Sequence, residues 1–140
     1  MPQNSSWLIE KYVIIAYVIG DITVEEMQAA DGEVVARLSE GEPPVHMLAD
    51  IKDMGRFPFD LIGLRKTTTY LQHPNLGHIA VYGASRMASS FAQMLMSLAG
   101  VKVRFVRDYT DALNYLAQHD PRIKEALEAG AIPKEAQRDF

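Results

Sequence analysis

Gly83-Ala84-Ser85-Arg86-Met87 sets a serine where an apolar run gives way to helical spacing. A serine there is either a nucleophile or a helix cap. Nucleophilic use needs a sharp strained turn, which a second glycine permits, and a base to take the proton. That second glycine is missing, and His119, the histidine that follows in chain order, sits near the end of a separate helical stretch. Capping is the simpler role for Ser85, and we expect no enzyme and no cofactor. The four histidines, His46, His73, His78 and His119, show no i, i+4 pair and no accompanying glutamate set, so no metal site is expected. His46 and His78 fall on adjacent expected strands and can face each other, as ordinary hydrogen-bonded strand residues.

The second source of chemistry is charge at strand ends. Asp50, Lys52 and Arg56 follow one apolar run, Gly83, Ser85 and Arg86 another, and Arg107 with Asp108 a third. If those runs are parallel neighbours, their carboxyl ends converge, where ligands meet open α/β sheets. Helix amides after Gly83 and the cations Lys52 and Arg86 would then suit a small anion: a phosphate, a carboxylate or an acidic side chain. The same residues also read as a routine cap with solvated charges. Between them, Met54-Gly55-Arg56-Phe57-Pro58-Phe59 sets two aromatics around a proline ahead of Asp60. Exposed aromatics with arginine are what protein interfaces use; alternatively Phe57 and Phe59 fold back onto the core. Met87, Phe91, Met94 and Met96 form a stripe that either packs as plain core or lines an apolar ligand cavity, as in SEC14-like lipid carriers. Thr67, Thr68 and Thr69 sit mid-helix, with Thr67 or Thr69 open to phosphorylation in principle.

Composition bounds these readings. A chain of 140 residues with 48% hydrophobic and 23% charged residues is one globular domain with its own core. A net charge of -4 argues against non-specific nucleic-acid binding. The absence of cysteine excludes disulfides and thiol catalysis and fits a reducing cytoplasm. The longest apolar run, Val13 to Ile19, falls short of the roughly 20 residues of a membrane span.

The elements that must position these residues follow from periodicity. Trp7 to Ile9 and Tyr12 to Ile19 are β-branched and aromatic, a hairpin turning near Glu10-Lys11. Thr23 and Glu26 have capping-box spacing ahead of Met27, Ala30, Val34 and Leu38, a helix to about Ser39. Strand three is expected over Val45 to Ala49, ending at Asp50. A loop then runs to Asp60, and a helix carries Leu61, Leu64, Thr68 and Leu71. Strand four is Gly77 to Tyr82, the Ser85 helix follows to Gly100, and strand five is Val101 to Val106 with one wet face. Asp108 to Asp111 cap a helix through Leu116, which Pro121 breaks. A short helix over Arg122 to Ala129 and a loose tail complete the chain. We divide it as a domain over 1–120 and a C-terminal helix and tail over 121–140.

This order, with Gly20-Asp21-Ile22-Thr23 opening the first helix, Leu48-Ala49-Asp50 ending a strand and Thr110-Asp111-Ala112-Leu113-Asn114-Tyr115-Leu116 late in the chain, resembles the STAS domain family, in its SpoIIAA-like branch. The resemblance spans about Trp7 to His119. It implies an α/β fold: a four- to five-stranded mostly parallel sheet with an N-terminal hairpin and helices packed on it. It also implies a regulatory, protein-binding role governed by a phosphorylatable serine in an Asp-Ser-Ser-Gly motif. The matching stretch here is Asp60-Leu61-Ile62-Gly63, with both serine positions apolar, and the family's Asp-Leu-Ser appears as Asp50-Ile51-Lys52. The expectation is a non-enzymatic binding module without the phosphoswitch, contacting an unknown protein partner through Asp50 to Asp60 and Gly83 to Arg86. A carrier of a small lipid or anion is the alternative. The sheet edge formed by the first hairpin also suits a homodimer.

Overall fold

The computed structural model describes residues 3–57, 60–83, 93–94, 97–98 and 102–133. A five-stranded sheet in order β1-β2-β3-β4-β5 forms its centre. β1 (Gln3–Ile9) and β2 (Val13–Gly20) make the expected antiparallel hairpin. β3 (Val45–Met54), β4 (Leu76–Tyr82) and β5 (Val103–Phe105) then add in parallel. Parallel neighbours need crossovers, and the helical stretches between the strands supply them.

Because the crossover helices cover one face and the two helices after β5 the other, the strands read as continuous apolar runs rather than alternating ones. Ile14, Met47, Ala49, Ile79 and Val81 face α1 (Val24–Glu40) and α2 (Leu61–Thr67). Their pleat neighbours Val13, Ile15, Leu48 and Ala80 face α3 (Tyr109–His119) and α4 (Pro121–Glu128). Burying each such aliphatic side chain contributes about 1.5–3 kcal/mol before entropy is counted. The Thr23–Glu26 capping box forms as the spacing requires, with the Glu26 amide donating to the Thr23 hydroxyl and the Thr23 amide to the Glu26 carboxylate.

Three expected boundaries are corrected. β3 runs on to Met54, so Asp50 lies inside a strand and not at its end. The cause is a bulge: Tyr17 pairs with Asp50 but Ile19 pairs with Asp53, which leaves one extra residue on β3. The bulge shifts the side-chain alternation, and the polar run Lys52-Asp53 therefore looks like loop in sequence. The helix after Asp60 ends at Thr67 and resumes as a 3₁₀ turn over Thr69–Gln72. Buried Thr67 and Thr68 turn their hydroxyls back onto the Leu64 carbonyl, a local bond that competes with helix continuation. Thr67, 1% exposed, is thereby closed to modification. Strand five is shorter than expected, three residues at the sheet edge.

The chain after α4 is not loose throughout either. Asp120 caps α4, Pro121 takes the first helical position, Ile123 is fully buried, and the Tyr109 hydroxyl donates to the Pro133 carbonyl at 2.8 Å. The Ser85 helix falls mostly outside the described residues, as do Ser85, Arg86, Met87, Phe91 and Met96. Within it Met94 and Leu98 are helical and pack against the α1-side core.

Candidate functional site

The carboxyl end of the sheet holds the expected Asp50, 2% exposed between Tyr17 on β2 and Tyr82 on β4. Its carboxylate accepts from the Lys52 amide at 3.1 Å, and the Lys52 ammonium stands 3.7 Å away. Tyr109 from α3 closes over Tyr82 edge to face, ring centroids 6.2 Å apart. The Tyr82 hydroxyl is buried beside the Asp50 carboxylate and makes no well-formed hydrogen bond among the described residues. Burial first, and the Asp50 charge second, raise the pKa of Tyr82 well above the ordinary phenol value; burial raises that of Tyr109 to about 12. Neither phenol ionises near neutrality, so neither tyrosine serves as a base.

Gly83 brings β4 against Lys52. Its φ is +85°, and a Cβ there would lie 2.5 Å from the Lys52 Cβ, so glycine is required on both counts. Thus Asp50, Lys52 and Gly83 do come together. Arg107 does not join them: it is 80% exposed and pairs with Asp108 and Asp111 of its own helix start. Arg56 is exposed and its amide donates to Asp21 at 2.7 Å, tying the loop to the start of α1. Phe57 is half-buried and packs onto the α1-side core. Asp60 caps α2 by accepting from the Gly63 amide at 2.8 Å. Phe59, Ser85 and Arg86 lie outside the described residues. Beside Asp60, Ile62 is 68% exposed, and Val24 at 38% is the other exposed large apolar side chain among the described residues.

The amino end of the strands carries a cluster that sequence reasoning only half found. β4 has one extra residue here, so Gly77 and His78 together oppose His46. The His78 amide, displaced from the ladder, donates to His46 Nδ1 at 2.9 Å. Nδ1 is therefore unprotonated, and Nε2–H donates to Asp120 at 2.9 Å. Arg122 grips the same carboxylate with Nε and Nη2, stacks over Tyr12 at 4.2 Å and donates to the Glu42 and Pro44 carbonyls. Burial holds His46 below the ordinary imidazole value despite Asp120. Asp120 feels burial pushing its pKa up, but its bonds from Arg122 and His46 outweigh that and hold it at about 2. Outward of His46, His78 stacks on His119 at 4.1 Å, and Tyr115 bonds His78 Nδ1 at 3.1 Å. The sequence signal for Asp120 and Arg122 was Asp-Pro at a helix start; nothing in the spacing pointed to His119. Among the described residues no group of His, Asp or Glu is arranged to hold a metal ion.

Between α1 and the sheet lies an apolar cavity of about 40 Å³, walled by Ala16, Met27, Val34, Met47 and Ile79. Asp31 at its wall is committed to the Thr69 hydroxyl and the Tyr70 amide. Ligand pockets run to roughly 300–1,000 Å³. No helix among the described residues is long and apolar enough to cross a membrane.

Comparison with known proteins agrees with this geometry. No curated protein matches the chain. Among solved structures, the anti-sigma factor antagonist SpoIIAA in its unphosphorylated form superposes with a TM-score of 0.55 at 5% identity, over 84% of this chain and 99% of that one. An uncharacterised DUF3478 protein with a SpoIIAA-like fold from Shewanella loihica PV-4 does so with a TM-score of 0.58 at 16% identity, over 81% and 91%. These likenesses concern the fold. The family model described as SpoIIAA-like matches residues 13–117, three quarters of the chain, so the protein belongs to the SpoIIAA-like family.

Proposed function

We propose that this domain is a non-catalytic regulatory module that binds another protein through the surface formed by the β3–α2 loop and the start of α2, without phosphoserine control. The observation that carries the reading is Ile62. It occupies one of the two positions where the resemblance places serine, it cannot take a phosphate, and it stands 68% exposed. A single exposed apolar side chain is ordinary on a surface; what singles out Ile62 is its place at the helix start that the resemblance assigns to partner control. Asp60 and Arg56 give that contact a polar rim. Asp50 is 2% exposed and its carboxylate is engaged by Lys52, which keeps it from a substrate in solution and favours binding over turnover. The lipid-carrier alternative has less support, because the cavity under α1 is about a tenth of the size a ligand needs. A cytoplasmic setting fits the cysteine-free sequence.

The test is a photo-crosslinking residue at position 62, introduced in the protein's own cells, with the same residue at exposed Gln118 as control. One discrete protein adduct from position 62 and none from position 118 is expected; a second copy of this chain would count as that partner. Equal labelling from both positions, or none from 62, overturns the reading.

A further inference from the structure

Charge is segregated along this chain. From residue 61 to residue 107 there is no Asp or Glu, while Arg65, Lys66, Arg86, Lys102, Arg104 and Arg107 all fall there. The rest of the chain carries all 18 acids. In the fold, part of this basic stretch becomes the β4–β5 edge, at the end of the sheet away from Ile62. Lys102 and Arg104 are exposed, Arg104 lies over the Tyr115 ring at 5.6 Å, and Tyr115 in turn bonds His78 and meets the His119 ring edge on at 4.8 Å. His78 is partly open to solvent and His119 is exposed. Among the described residues none of these four pairs with a carboxylate. Asp120, adjacent in sequence to His119, is already held by His46 and Arg122.

Two cations and two stacked imidazoles left without a counter-charge form an unfavourable arrangement that an anion would relieve. The scaffold beneath is fixed, since His46 anchors the His78 amide and Tyr115 anchors its ring. We propose that Lys102, Arg104, His78 and His119 form a binding site for a phosphate-class oxyanion, strengthened by protonation of the two histidines. The groups facing the stack are His46 from β3, Lys102 and Arg104 from the β5 edge and Tyr115 from α3, with Asp120 and Arg122 beneath them paired to each other. Burial first, then His119, His46 and Lys102, disfavour protonation of His78. A bound anion opposes that effect, so proton and anion uptake are linked and each strengthens the other.

The experiment is an NMR titration of the histidine rings of the whole chain between pH 5 and 8, with inorganic phosphate against chloride at matched ionic strength. Expected is a saturable rise in the midpoints of His78 and His119 with phosphate, no change at His73, and, for sulfate, which keeps its double charge over this range, tighter binding at pH 5.5 than at 7.5. Lys102→Gln with Arg104→Gln, both on exposed positions, should weaken binding by about tenfold or more without altering the melting temperature. Phenyl phosphate distinguishes the source: tighter binding assigns a phosphate monoester as ligand, equal binding the bare anion. Midpoints that move no more with phosphate than with chloride, or binding that survives the double substitution, overturn the proposal.

Discussion

The two ends of the sheet are built on opposite terms. At the amino end, polar groups are buried and saturated: His46 uses both ring nitrogens, Asp120 takes two partners, and Arg122 spreads over a carboxylate, two carbonyls and a ring. At the carboxyl end, a buried phenol makes no well-formed hydrogen bond among the described residues and a large aliphatic side chain faces water. Saturation makes a joint that locks strands and the C-terminal helix together. Incomplete cover makes a surface with something left to bind. The comparison predicts that stability is lost by substitutions in the buried His46–Asp120–Arg122 cluster and interaction by substitutions at exposed positions, Ile62 at the carboxyl end and the cations Lys102 and Arg104 outside that cluster.

The largest effect is expected at Asp120. Replacing it with alanine leaves His46 and Arg122 without their shared acceptor and uncaps α4. Losing one partner of a buried charged pair costs about 3–5 kcal/mol. Urea unfolding should report that loss, whereas Ile62→Asp should move stability by less than about 0.5 kcal/mol, as surface changes do, while abolishing co-purification of the protein that the position-62 crosslink identifies. Comparable costs at both positions would erase the distinction. Gly77→Ala comes next. Its Cβ would lie 2.5 Å from His46 Nδ1, and the ring cannot swing aside while Asp120 and the His78 amide hold it. Overpacking of that kind costs about 1–3 kcal/mol. In a His46→Ala background the same substitution should cost much less, and an unchanged cost would show that the ring is not the obstacle.

How much of this was legible beforehand depended on the kind of signal. Periodicity placed the hairpin, α1 with its capping box, and the strand-helix alternation, because amphipathic spacing is a local property written in neighbouring residues. Asp50, Lys52 and Gly83 were correctly brought to one end of the sheet, although the end of β3 was misplaced by a bulge that no local pattern announces. His46 and His78 were expected to face each other and do, with ring centroids 5.8 Å apart. The lock itself stayed hidden because its partners are 74 residues apart in the chain. Arg107 looked like part of an anion site and instead serves its own helix start, where acids one and four residues away pair with it.

A pH prediction sharpens the comparison. Burial holds the His46 pKa below its unfolded value of 6.5, so the folded state binds this proton less readily than the unfolded state. Its contribution is complete above pH 6.5 and is lost as the pH falls through the folded value. Asp120 is lowered from 3.8 to about 2, so its contribution is present above 3.8 and disappears toward 2. The amino end should therefore weaken in two successive acid steps. The first step should appear as faster amide exchange at His78, corrected for intrinsic rate, since protonating Nδ1 removes its acceptor. His46→Gln should abolish the upper step and leave the lower one. A flat profile between pH 7 and 5, or one unchanged in His46→Gln, would contradict the tautomer assigned to the lock.

The smallest effect separates the two ends most cleanly. Tyr82→Phe removes a buried hydroxyl that makes no well-formed hydrogen bond among the described residues and lies beside the Asp50 charge. Deleting an unsatisfied polar group returns its desolvation cost, so the variant should be neutral or more stable by up to about 1 kcal/mol. The matched change at the saturated end, Tyr115→Phe, takes away the bond to His78 Nδ1 and should cost about 1 kcal/mol instead. Both substitutions delete one oxygen from a tyrosine at least nine-tenths buried, so size and hydrophobicity are held constant. Opposite signs would mean that hydrogen-bond saturation distinguishes the two ends; a loss at Tyr82 as large as that at Tyr115 would mean that Tyr82 is partnered after all, and that the carboxyl end is as locked as the other.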